Sequence, residues 1–299
     1  MRVFYLFCFL VLGTVPPPLK AHYHILIPDK SSVKIGEKVN VRYLFGHPYE
    51  SELTDTDPPI SVFAVAPNGT RTILKNSLKS NEETSSNGKK FKAYSFEFTP
   101  EKRGDHIIVV TSSPFALEES NSYKYVDQVK TVIHVETQNG WDQSILSPDS
   151  AIFPFDLVPL NRPYGLLPGD LFRFEIRALR AKKIPGKDFF NYPSFRFPIE
   201  VEKFNLSPPK EIPLDEFVTQ TLITGQNAEA SITLRKPGWI AITAIEPMSL
   251  VKKLTPSGNP GKKLNNGKKE DPANVHFLVR HRSTLWLYVD EKPIYPPMK

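Results

Sequence analysis

The chain has 299 residues, 40% hydrophobic and 23% charged, with 29 prolines, one cysteine and a formal net charge of +6. That charge is modest for the length and no aromatics interleave with the lysine-rich stretch at 251–270, which argues against nucleic-acid binding. A single cysteine excludes a disulfide framework, so each domain must fold on its apolar core alone, and the length suggests two of them.

Residues 1–21 read as a secretion signal. Arg2 supplies a short positive start, Val3 to Val15 an apolar run too short to span a bilayer, and a proline-rich stretch leads to Ala21, a good residue for the last position before a cut. Leu19 stands two residues earlier, where a small side chain is usual. Cys8 leaves with the signal; Phe7 and Phe9 flank it, unlike a lipid-attachment cysteine at a cleavage point. The rest of the chain has no second long apolar run. The mature protein is expected to be periplasmic or secreted, without stable membrane insertion.

From Tyr23 onward the chain is all-β in pattern: short runs of Val, Ile, Phe and Tyr separated by Gly, Asn, Ser and Pro, and no convincing helical stripe. Tyr23–Ile27 and Lys38–Phe45 are the first strands, the second alternating Val39, Val41, Tyr43 and Phe45 on one face. Ser61–Ala66 and Arg71–Leu74 flank Pro67-Asn68-Gly69-Thr70, a hairpin turn in which Asn-Gly tolerates positive φ. Residues 76–90 are polar and turn-rich and read as a mobile loop. Lys92–Thr99, His106–Thr111 and Tyr123–Glu136 complete an immunoglobulin-like β-sandwich over 22–137, without the cysteine pair of antibody domains.

Residues 138–152 read as a linker, with Trp141 as an anchor. A second immunoglobulin-like β-sandwich spans 153–299. Its strands are Phe155–Pro159, Leu171–Ala178, Ile199–Phe204, Gln220–Ile223, Ala230–Leu234, Trp239–Ile245 and Thr284–Val289, with a turn at Leu167-Pro168-Gly169-Asp170. A lysine-rich stretch at 251–270 interrupts it and reads as a solvated loop.

Three of the seven histidines lie between Ala21 and Glu50. Cleavage after Ala21 makes His22 the first residue of the mature chain and His24 the third. A free terminal amine, the next two backbone nitrogens and the imidazole of the third residue can wrap one ion in a tetragonal ring of nitrogens, the geometry favoured by Cu(II) and Ni(II). Alternatively the amine and imidazole of His22 clamp the ion and His24 or His47 completes the set. Residues i and i+2 of a strand share a face, so His22 and His24 lie on one side. Metal affinity is expected to fall below about pH 6, because imidazoles of ordinary pKa, about 6.5, must be neutral to ligate.

Several segments resemble one family: His22-Tyr23-His24-Ile25-Leu26-Ile27-Pro28; Phe45-Gly46-His47-Pro48 with Glu50; Phe153 to Gly169, with Val158-Pro159-Leu160 and Pro163-Tyr164; Thr221 to Gly225; and Lys236-Pro237-Gly238-Trp239. The pattern is similar to the NikK-like family of exported proteins associated with periplasmic nickel and cobalt uptake. The resemblance implies metal ligands at His22, His24 and His47, with Glu50 as an oxygen donor or as a partner that orients His47. It implies a Ni2+ or Co2+ cargo and a membrane metal importer as partner. The 251–270 stretch departs from the family pattern.

The other histidines and acids have plainer readings. His106 and His134 lie inside strands as satisfied core or edge residues, His276 and His281 are unassigned, and Asp55, Asp57, Glu118 and Glu119 read as loop surface. Trp141, Trp239 and Trp286 read as core or interface. No Gly-x-Ser-x-Gly, phosphate loop or His-Glu-x-x-His is present, so no enzyme is expected. The competing readings are a metal-free interaction module and a copper-binding protein with an N-terminal histidine site.

Overall fold

The computed structural model describes residues 22–117, 123–146, 154–184, 187–191, 196–248 and 278–294. The signal stretch, Glu118, Glu119, the end of the linker, the lysine-rich stretch and His276 lie outside them.

The protein is all-β. In chain order the first strands are β1 (Tyr23–Pro28), β2 (Ser32–Val33), β3 (Val39–His47), β4 (Glu52–Thr54), β5 (Ser61–Val65) and β6 (Arg71–Ile73). Then come β7 (Lys79–Thr84), β8 (Lys90–Phe98), β9 (Gly104–Thr111), β10 (Tyr123–Val135), β11 (Phe155–Pro159) and β12 (Leu171–Ile184). The last are β13 (Lys187–Asn191), β14 (Pro198–Phe204), β15 (Gln220–Ile223), β16 (Glu229–Thr233), β17 (Gly238–Ile245) and β18 (Leu278–Val289); a short helix, α1 (Asp215–Val218), precedes β15.

A nine-stranded sheet forms the middle of the molecule, in the order β15-β14-β17-β18-β10-β9-β5-β6, with β2 added beside β10. It joins strands of the N-terminal and C-terminal halves through the parallel pair β10–β18. Alternate side chains of a strand point to opposite faces, and here both faces are covered. Trp239, Ala241 and Trp286 join the core under a five-stranded sheet of β1, β3, β8, β7 and β4. Their chain neighbours Ile240, Ile242, Leu285 and Leu287 join a second core under β11, β12, β13 and β16. Strands buried on both faces read as near-continuous apolar runs, which is why β9 and β17 stand out in the sequence.

The hairpin turn forms as its residues dictate: Gly69 has φ +81° and its N–H donates to the carbonyl of Ala66 at 2.8 Å. The Leu167–Asp170 turn closes through the Asp170 N–H on the Leu167 carbonyl at 3.1 Å, with Gly169 at φ +97°. The first part of the linker is held: the Asn139 N–H donates to Asp105 at 2.9 Å, Gln143 to the Pro67 carbonyl at 2.7 Å, and Trp141 packs on a small core with Val65, Ile107 and Val132.

One expectation is corrected. Residues 76–90 are not a loop throughout, since β7 pairs with β8 along its whole length, Lys79 opposite Ser95 through Thr84 opposite Lys90. The stretch is polar because β7 is the edge of its sheet, where charged side chains are favoured.

A candidate metal centre at the start of the first strand

The antiparallel register of β1 and β3 sets Tyr23 opposite Gly46 and His24 opposite Phe45. Continued by one residue, it sets His22 opposite His47. The two rings meet: His22 Nδ1 lies 3.1 Å from His47 Nε2, with ring centroids 4.0 Å apart. On the other side of His47, β4 brings Glu52 into register, its Oε2 3.4 Å from His47 Nδ1. His22, His47 and Glu52 thus form one row across three strands.

Gly46 permits this row. Its φ is +149°, and a Cβ there would lie 2.1 Å from the Glu52 carbonyl oxygen. Only glycine lets β4 close on β3 beside His47. Donation from His47 Nδ1–H to Glu52 leaves the Nε2 lone pair directed at His22. A carboxylate behind an imidazole is the usual support of a ligating histidine.

His24 is used differently. It is buried, and its Nδ1 lies 2.8 Å from Asp127 Oδ2. Asp127 also accepts Arg282 Nε at 2.7 Å and Arg282 Nη2 at 2.6 Å, and the same Nη2 donates to the His22 carbonyl at 2.9 Å. Burial lowers the His24 pKa and outweighs the opposing pull of Asp127, so the ring is neutral and donates from Nδ1. For Asp127, burial raises the pKa, but Arg282 and His24 more than offset it and hold it at about 2. Trp286 Nε1 donates to the His24 carbonyl at 3.0 Å, and Phe115 packs edge-on against the His24 ring. These contacts fasten the start of β1 to β10 and β18.

The four residues expected at the site therefore separate. His22 and His47 are brought together. His24 borders Phe45, as His22 does, but commits Nδ1 to Asp127. Glu50 is buried in the turn after β3 and is among the charges that raise the pKa of Glu202, while the carboxylate beside His47 is Glu52. Among the described residues no group of three or more His, Cys, Asp and Glu side chains is gathered to hold a metal ion.

Sequence reasoning missed Glu52, Asp127 and Arg282, whereas Trp286, read as core or interface, is in the core. For Asp127 a signal existed, since an acid inside the run read as the strand Tyr123–Glu136 must be paired where it is buried; Arg282 precedes the run Thr284–Val289 read as a strand and stands among Arg280, His281 and Ser283, so it carried none. Among the described residues the remaining histidines have polar partners, His106 on the Lys102 carbonyl at 2.9 Å, His134 on Asp105 at 2.7 Å and His281 on Glu246 at 2.8 Å.

The model of a domain of unknown function (DUF4198) matches residues 19–246. No curated protein matches. Alpha-2-macroglobulin from Salmonella is similar at 12% identity over 90% of this chain and 15% of that one, with a TM-score of 0.23. Alpha-2-macroglobulin from E. coli in its native conformation is similar at 13% identity over 91% and 14%, with a TM-score of 0.22. A DUF4785 family protein from Legionella pneumophila is similar at 9% identity over 75% and 52%, with a TM-score of 0.24. The chain spans less than two thirds of each of these proteins.

Proposed function

This chain belongs to the DUF4198 family, and we propose that it is an exported, non-enzymatic carrier that captures a divalent transition-metal ion at the start of its mature chain and delivers it to a membrane importer. The ligands are the terminal amine and Nδ1 of His22 with Nε2 of His47. The observation that carries this reading is the 3.1 Å separation of the two imidazole nitrogens. Two nitrogens each about 2.0–2.1 Å from one ion and that far apart subtend about 95–100° at it, the angle of neighbouring ligands in a tetragonal or octahedral site.

The clamp is favoured over the arrangement that wraps the ion in the first three residues. That wrapping uses the backbone nitrogens of Tyr23 and His24 and an imidazole of His24, yet those two residues are in the β1–β3 ladder and His24 Nδ1 is held by Asp127. Nickel and cobalt are the cargo by the NikK-like resemblance. Nitrogen ligands hold copper more tightly on intrinsic grounds, so supply decides between them.

The test is the intact mass of the exported protein, followed by calorimetric titration of the same sample with Ni(II), Co(II) and Cu(II). A chain beginning at His22 with one site, lost in His47→Ala and retained in His24→Phe, supports the clamp. Loss in His24→Phe with retention in His47→Ala transfers the site to the wrapped arrangement. A correctly cut chain that binds none of the three ions returns the protein to the metal-free interaction module.

A further inference from the structure

A cleft lies at the β15 edge of the central sheet, with Tyr49 on its lining. It has a volume of about 660 Å3 and opens between the two sheets that enclose the C-terminal core, bounded by β14, β15 and β17 on one side and β16 on the other. Core residues form its floor: Ile232, Leu234 and Ile240 line it, and each is 6% exposed or less. A volume in this range is that of a site for a small organic molecule.

The mouth has two chemistries. Lys203, Arg235 and Lys236 line it, none with an ion-pair partner among the described residues, and Glu216 is the acid on the lining. Apolar surface surrounds the cations. Val201, Pro213 and Val218 are on the lining, and Phe217 on α1 lines the cleft and is 73% exposed.

We infer that this cleft binds an amphipathic organic anion of the long-chain carboxylate class. The tail enters between the sheets against Ile232, Leu234 and Ile240, and the head group stays at the mouth with Lys203, Arg235 and Lys236. The cations select the charge, and the core residues select length and flatness. The inference does not rest on the metal reading, since neither His22 nor His47 lines the cleft.

The test is fluorescence titration of the exported protein with cis-parinaric acid and with its methyl ester, both below their micelle thresholds. The acid is expected to bind saturably and at least tenfold more tightly than the ester. Combined K203A, R235A and K236A should reduce acid binding to the level of the ester. T233W, at an exposed position on the lining, should abolish both with an unchanged thermal midpoint; T221W, also exposed on the lining, serves if T233W does not fold. H47A should bind the acid normally. Absence of saturable binding, equal binding of acid and ester, or undiminished binding in a folded tryptophan variant overturns the inference.

Discussion

Arg282 and Asp127 sit side by side in the parallel β10–β18 pair and bind each other twice, at 2.7 and 2.6 Å, with each side chain 2% exposed. The same guanidinium holds the His22 carbonyl and lies over the rings of Tyr23, Phe115 and Tyr125. One buried ion pair thereby ties the first residues of the candidate site to the last strand of the fold.

Breaking that pair should be costly. Asp127→Asn leaves a buried guanidinium without its counter-charge and is expected to lower stability by about 3–5 kcal/mol in urea unfolding at pH 7. The pH dependence comes from the depressed carboxyl. With a folded pKa of about 2 and an unfolded value near 3.9, the stabilisation is complete above about pH 4 and is lost as pH falls to about 2, amounting to about 2–3 kcal/mol. Asp127→Asn should flatten that acid limb; an unchanged limb would mean that other carboxylates carry it.

Glu202 should act in the opposite sense. Burial first, and then Glu50 and Glu200, raise its pKa to about 7 against the hydrogen bonds from Thr219 and the Tyr49 N–H. A carboxyl whose folded pKa lies above its unfolded value binds more protons when folded, so stability is full below about pH 4.5 and falls as pH rises to about 7, by about 3 kcal/mol. Glu202→Gln is expected to remove this decline and to raise the thermal midpoint at pH 8 relative to the parent. A parent midpoint that does not change between pH 5 and 8 contradicts the assignment.

Glu52 and Glu50 can be told apart by titration. Glu52 is half exposed and its contact with His47 is at the surface, so Glu52→Ala should change stability by less than about 1 kcal/mol. If it orients His47, the same variant weakens metal binding about 10–100-fold. Glu50→Gln should leave metal affinity within about twofold. The reverse ranking would restore Glu50 as the partner of His47.

Gly46→Ala is the sharpest probe of the three-strand row. The added Cβ meets the Glu52 carbonyl oxygen at 2.1 Å, so β4 must move away from β3. We expect a loss of about 2–4 kcal/mol and weaker metal binding than Glu52→Ala alone. Full retention of both would show that the β3–β4 contact is dispensable.

Much of the fold was legible because strands announce themselves by local means. Gln220–Ile223 and Phe155–Pro159 have in the structure the bounds read from the sequence, and Asn68-Gly69 turns as positive φ requires. The edge strand β7 was not legible, because a polar edge is specified by its partner β8 and not by its own hydrophobicity.

The candidate site divides along the same line. The amino-acid sequence by itself determined that His22 and His24 share a face and that a glycine precedes His47, since these come from strand period and covalent order. Tertiary structure alone decided which imidazoles meet, that Glu52 rather than Glu50 stands behind His47, and that His24 is taken by Asp127 and Arg282. Those choices depend on inter-strand register and on pairing across 155 residues, and both are settled by how whole sheets pack together.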